Sequence, residues 1–188
     1  LLKDNGRIDE AVQCFGRAIE LDYDNVSARH MLAALTGEKT EAAPGQYVRE
    51  LYDRYADNFE SHLVKTLSYD IPSVLRDMLC DLLGEDIRFN NAVDLGCGTG
   101  FVGEKIRSLT DRLEGIDISP LIIEKAEKKN IYDALMTGDM VEVLNESTER
   151  YDLFVAADVF IYTGNLAPVF SSVKERSASI SYFAFSTE

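Results

Sequence analysis

Three glycines at alternate positions, Gly96, Gly98 and Gly100, follow directly on the apolar run Asn91-Ala92-Val93-Asp94-Leu95. This turn limits the fold of the chain more than any other stretch. Glycine allows positive φ and leaves no Cβ between the backbone and whatever approaches it, which a sharp strand-to-helix turn needs. A helix is expected from 100 to 109, starting at Phe101-Val102-Gly103-Glu104, and a second strand from 112 to 117. That strand ends on Asp117, about 20 residues past the first glycine, the spacing of a carboxylate that holds a ribose diol. Strand, glycine turn, helix, strand and terminal acid together describe an adenosine-containing ligand at the carboxyl edge of a parallel sheet.

The third small residue of a dinucleotide fingerprint, which lets the helix pack under a pyrophosphate, is here Phe101, and the chain has no Gly-Lys-Ser/Thr triplet. A ligand with a ribose and no phosphate fits better. Val93 to Gly100, Glu114 to Ser119, Thr137-Gly138-Asp139-Met140 and Tyr151 to Asp158 resemble, in order, the motifs of class I S-adenosylmethionine (SAM)-dependent methyltransferases. The resemblance covers roughly residues 45–188 and implies a Rossmann-like α/β fold with a doubly wound parallel sheet.

It also implies roles for single residues. Gly96, Cys97, Gly98 and Gly100 would line the methionine and sugar portions of SAM, with Cys97 present for its small size. Asp94 would help to hold the cofactor's amino group; bracing the turn through backbone amides is its alternative role. Asp117 would grip the ribose. Asp139 would accept from the adenine amine with Met140 and Ile118 on the ring faces, and it also suits the N-cap of the next helix. Backbone carbonyls around Ala156 would lie near the sulfonium, and Asp158 just beyond would face the acceptor or brace its loop. The Tyr-Asp-x-Tyr-Ala element of the preceding helix points to Tyr52 or Tyr55 as cofactor contacts. His62 and Tyr162 complete the catalytic candidates, with core packing the other reading of the aromatic residues. S-adenosylhomocysteine (SAH) would be the product, no metal is expected, and the sequence names no acceptor.

The formal net charge of −14 argues against nucleic acid, whose binding draws on Lys and Arg that displace counterions. Lys125, Lys128 and Lys129 alternate with Glu124 and Glu127, the pattern of a solvated helix face. No apolar run is long enough to span a bilayer. Cys14, Cys80 and Cys97 have no paired spacing for zinc or disulfides, which points to a reducing, cytoplasmic setting.

Residues 1–37 carry another pattern. Gly6, Ala11, Phe15 and Ala18 stand where a tetratricopeptide repeat (TPR) places its packing residues, with Tyr23 in place of the usual proline, and Val26 to Leu35 resembles the next repeat's first helix. One repeat cannot bury its own apolar face, so further repeats are expected upstream. A polar linker follows over 38–46, then the methyltransferase domain over 47–188, with lid helices in 47–84 and the sheet in 90–188. The lid helix is expected from Tyr47 to Leu67, with Tyr47, Leu51, Tyr55 and Phe59 as its stripe. Strands at 91–95, 112–117, 133–138, 151–157 and 179–185 alternate with helices at 100–109, 119–129, 140–146 and 165–176. The fifth strand would be an exposed edge, with further strands expected beyond residue 188.

Methyl transfer to a small-molecule or protein acceptor is the leading expectation, with a protein partner on the repeats. A non-catalytic SAM-binding scaffold, a nicotinamide oxidoreductase and a repeat adaptor are the alternatives.

Overall fold

A computed structural model describes residues 6–38, 42–56 and 69–187. Helices α1 (Ile8–Leu21) and α2 (Val26–Thr36) form an antiparallel pair, followed by α3 (Gly45–Tyr55) and α4 (Ile71–Leu83). Alternation then begins: β1 (Phe89–Leu95), α5 (Phe101–Ile106) and β2 (Thr110–Asp117), then α6 (Pro120–Lys128), β3 (Ala134–Thr137) and α7 (Met140–Glu146), and finally β4 (Tyr151–Ala156), α8 (Ala167–Arg176) and β5 (Ser177–Phe185). The five strands are parallel, in the order β3-β2-β1-β4-β5. Order reverses between β1 and β4, so the carboxyl ends of these two strands open a crevice.

Burial on both faces explains the consecutive apolar residues Ala92-Val93, with Leu95, in β1 and Leu153 to Ala156 in β4. Ala92, Leu113, Leu153 and Val155 face a core closed by Leu75 and Leu79 of α4 and by Val102 and Ile106 of α5. Their neighbours Val93, Leu95, Ile116 and Phe154 face the other layer, where Leu144 of α7 and Val169 and Val173 of α8 close it. Successive strand residues point to opposite faces, so one run serves both cores.

The expected elements appear with shifted ends. Helix 100–109 is α5 plus a 3-10 turn at 107–109, because Gly100 takes φ 95° and stands outside the helix. Strand β2 starts at Thr110, two residues early, and Ser119 caps α6 by accepting from the Ile122 amide. Helix α3 ends at Tyr55, and the remainder of the expected 47–67 helix, with Phe59 and His62, lies outside the described residues apart from Ala56. β5 forms one edge of the sheet, with Ile180, Tyr182 and Phe185 exposed. Among the described residues no helix is long and apolar enough to cross a membrane.

Candidate functional site

The glycine turn needs all three of its glycines. Gly96, Gly98 and Gly100 have φ of 69°, 55° and 95°, the left-handed region that costs other residues free energy. At Gly96 space is short as well: a Cβ would lie 2.4 Å from Val159 Cγ2. The turn is tied to β2 by the Cys97 amide, which donates to the Ile116 carbonyl at 2.9 Å.

Asp117, at the end of β2, is held from two sides. The Gly98 amide donates to its Oδ2 at 3.0 Å and the Ser119 amide to its Oδ1 at 2.9 Å. Burial raises its carboxyl above the usual range, while the amides of Ser119, Gly98 and Ile118 pull the other way. A carboxylate so anchored keeps lone pairs for a ligand.

Above this acid lies a cavity of about 480 Å³, a size suited to a nucleoside-like ligand. Its floor is Gly96, Gly98, Ile116 and Asp117, and Ile118, Gly138, Asp139 and Met140 form one wall. The other wall is Ala157, Asp158, Val159, Tyr162 and Thr163, on the loop after β4. Asp139 also caps α7, accepting from the Val141 and Glu142 amides at 2.8 and 3.2 Å. The two expected positions for Asp139 therefore coincide. Removing the cap by Asp139→Ala should cost about 1 kcal/mol in urea denaturation. Asp139→Ser should restore that stability without restoring any ligand affinity that depends on the carboxylate.

The segment 42–55 straps the mouth. Ala42, Ala43, Gly45, Val48 and Tyr52 line the cavity from above. On one bank Ser119 Oγ donates to Asp53 Oδ1 at 2.5 Å, and Arg49 Nε donates to the Ile118 carbonyl at 3.3 Å. On the other the Ala43 amide donates to the Tyr162 carbonyl at 3.3 Å, and Tyr52 is hydrogen-bonded to Tyr162, their rings edge to face at 5.7 Å. Burial, then the Tyr162 contact and the Asp117 charge, push the Tyr52 phenol far up and keep it neutral.

Asp158 is one of two non-glycine residues with positive φ among the described residues, at 52°. Its amide donates to Ser186 Oγ at 2.7 Å, and that hydroxyl donates to Asp158 Oδ1 at 2.5 Å. Tyr69 adds a hydrogen bond to Asp158, and burial together with the Asp158 charge pushes the Tyr69 phenol up. Left-handed backbone at a non-glycine costs about 1–3 kcal/mol and clusters at ligand sites.

Several expected site residues lie off the cavity wall. Tyr55 is 46% exposed and sits on another face of α3, because Tyr47 turns toward His30 of α2, ring centroids 4.6 Å apart. The working face of α3 is Val48 and Tyr52, one helical turn apart, and the stripe through Tyr47 and Tyr55 is not. Cys97 packs beneath Gly115, where burial pushes its thiol well up and leaves it unreactive. Gly100, Ala156 and Asp94 stand behind the wall. The Phe101 ring, which takes the place of the third small residue of a dinucleotide fingerprint, lies under Lys129 Nζ at 4.6 Å and edge-on to Tyr69.

Asp94 is fully buried and accepts from the Tyr132 hydroxyl at 2.7 Å. Its Oδ1 lacks a well-formed hydrogen bond among the described residues. Burial pushes its pKa up to about 7, against the pull of Tyr132. Sequence reasoning missed Tyr132, although its ring fills the space that a Cβ on Gly103 would need, 2.6 Å away; at Gly115 a Cβ would meet Leu135 at 2.7 Å, Cys97 Sγ at 3.0 Å and the Tyr132 ring at 3.1 Å. A glycine inside a helix and another inside a strand were the available signal. Tyr69, Ser186 and the Asp53–Ser119 pair were also missed, and no local pattern marks them.

The described lining residues offer carboxylates and hydroxyls but no lysine or arginine. That set suits hydroxyls and amines and rejects phosphate.

Comparison with known proteins agrees with this geometry. Residues 92–176 match the model of a family described as "Methyltransferase domain". Over 85 residues the chain is 33% identical to human methyltransferase-like protein 27, covering 45% of this chain and 34% of that one. Over 139 residues it is 24% identical to malonyl-[acyl-carrier protein] O-methyltransferase of Bacillus cereus, covering 72% and 48%. The chain spans about a third to a half of the length of the curated relatives it matches. Among solved structures, magnesium protoporphyrin IX methyltransferase from Synechocystis PCC 6803 with bound SAM superposes with a TM-score of 0.56 at 18% identity, covering 71% of each chain. At that identity the likeness is one of fold. Residues 92–176 are thus similar to a methyltransferase domain, and the parallel sheet that holds them has the fold of these solved methyltransferases.

Proposed function

We propose that this chain binds SAM in the cavity above Asp117 and transfers its methyl group to an acceptor at the Asp158 side. The observation that carries the reading is the acid at the end of β2, fixed by the Gly98 and Ser119 amides in the cavity floor beside Gly96 and Gly98. One further feature fits the cofactor: the buried Oδ1 of Asp94 behind the turn, which lacks a well-formed hydrogen bond among the described residues.

In this reading Asp117 accepts from the ribose hydroxyls, Asp139 from the adenine amine, and Ile118 and Met140 flank the base. Asp94 draws the cationic amino group toward the turn, and Tyr52 closes the strap over the ligand. When bound, SAM supplies a methyl group on a cationic sulfur, already activated for attack by a nucleophile. The protein's task is therefore alignment and exclusion of water, which can contribute about 7–11 kcal/mol. Fold and relatives support the reading: SAM or SAH is bound in several solved structures of this fold.

The domain division is read as 1–37, 38–46 and 47–188. The α1–α2 pair, with the small residues Ala11 and Ala28 buried, is read as a TPR-type unit for a protein partner, in a cytoplasmic setting.

Isothermal titration with SAH and with NAD tests the cofactor reading. SAH is expected to bind at one site and NAD at least about tenfold more weakly, since among the described lining residues no lysine or arginine meets its phosphates. Tighter binding of NAD would overturn the proposal.

A further inference from the structure

The contacts of α3 fall into three rows, spaced three or four residues apart by the helical period. Gly45, Val48 and Tyr52 line the cavity. Arg49 donates to the Ile118 carbonyl and Asp53 accepts from Ser119 Oγ, both just before α6. Tyr47 and Glu50 face α2, where Tyr47 meets the His30 ring and Ser27 Oγ donates to Glu50 Oε2 at 2.7 Å. Among the described residues nothing in α1 or α2 lines the cavity itself.

The row on α2 is a firm attachment. Glu50 takes the Ser27 hydroxyl on one oxygen and Gln46 Nε2 on the other at 3.0 Å, and these bonds hold its carboxyl below the usual range. The Ser27 bond is therefore charge-assisted at neutral pH, and it joins two helices rather than closing a local turn.

The row on the cavity has little slack. A Cβ on Gly45 would lie 3.2 Å from Ile118 Cδ1, so the first turn of α3 sits directly on a residue assigned to the adenine. Asp53 accepts from the Ser119 hydroxyl, and the Ser119 amide donates to Asp117, the acid assigned to the ribose. An α-helix of 11 residues moves as a unit, because its backbone hydrogen bonds tie each turn to the next. A change in the hold on the α2 row therefore reaches the cavity row, through a packed and rigid element.

We infer that α2 positions the strap over the cofactor through Ser27 and Glu50, and so sets how long the cofactor stays bound. This rests on the methyltransferase reading of the cavity and adds a control point outside it. The coupling runs both ways: a hold on α3 that favours the bound cofactor is itself favoured by that cofactor.

Surface plasmon resonance of SAH on the full chain tests the forward direction. Ser27→Ala should raise the dissociation rate constant about three- to tenfold, and Glu50→Ala should do the same from the other helix. Ser27→Thr keeps the hydroxyl and should stay within about twofold of wild type. The two alanine variants break one bond from separate helices, so misfolding of one leaves the other to decide. Hydrogen exchange tests the reverse direction. In wild-type protein SAH should slow exchange of the α2 amides several-fold beyond any change in α8, which supplies no described lining residue and registers overall stabilisation. In Ser27→Ala that difference should vanish. A bond that merely fastened α2 would move neither readout. The inference is overturned if SAH leaves the alanine variants no faster than wild type, if Ser27→Thr releases it as fast as alanine does, or if α2 exchange ignores SAH. Failure of wild-type protein to bind SAH would instead overturn the methyltransferase reading itself.

Discussion

Replacing Asp117 with alanine should weaken SAH binding by at least about 100-fold. Two charge-assisted hydrogen bonds to a ribose diol contribute about 1.5–3 kcal/mol each, and every 1.4 kcal/mol is a factor of ten in affinity. The same carboxylate anchors the Gly98 and Ser119 amides, so the glycine floor also loosens when it is lost. Asp117→Asn, which keeps the shape and one acceptor, should lose about tenfold. Calorimetric titration of the three proteins gives the order wild type, Asn, Ala. Equal affinity in all three would remove the acid from the site.

Tyr132→Phe should destabilise the domain, and more at pH 8 than at pH 5. Asp94 is buried with a pKa of about 7, against roughly 3.9 in an unfolded chain. Its folded-state pKa is raised, so between about pH 4 and 7 the native state holds more protons than the unfolded state. The contribution of Asp94 to stability therefore falls as pH rises through that window and is level above it. The Tyr132 hydroxyl favours the ionised form, so its loss drives the pKa higher and extends the window upward. At pH 8 the variant strips a buried carboxylate of its side-chain donor, at a cost of about 2–3 kcal/mol. At pH 5 the carboxyl is protonated and the cost should be about 1 kcal/mol. Urea denaturation of both proteins at the two pH values measures the difference. An equal loss at both would mean that Asp94 does not titrate with Tyr132.

The sheet was legible because burial on both faces leaves consecutive apolar residues in its strands, Ala92-Val93 with Leu95 in β1 and Leu153 to Ala156 in β4. Glycine at 96, 98 and 100 was legible because only a tight turn with positive φ needs three of them so close together. Asp139 was legible twice, as a cap and as a wall residue, since both follow from its place before α7. What escaped were features that exist only after distant segments meet. Tyr132 reaches Asp94 from 38 residues away, and Gly103 of α5 leaves room for its ring. The Tyr-Asp-x-Tyr-Ala element of α3 pointed to Tyr52 or Tyr55 without separating them. The contact of Tyr47 with His30 turns that side toward α2 and leaves Val48 and Tyr52 for the cavity. The strap's tie, Asp53 to Ser119, spans 66 residues and carries no local signature.

Whether that one acid truly holds a sugar is decided most directly by a thermodynamic cycle. The affinities of SAH and of its 2′,3′-dideoxy analogue are measured for wild type and for Asp117→Ala. If the carboxylate and the diol touch, deleting the hydroxyls should cost wild type about 100-fold and the variant almost nothing. Two losses that simply multiply would show that they never met, and the cavity would need another occupant.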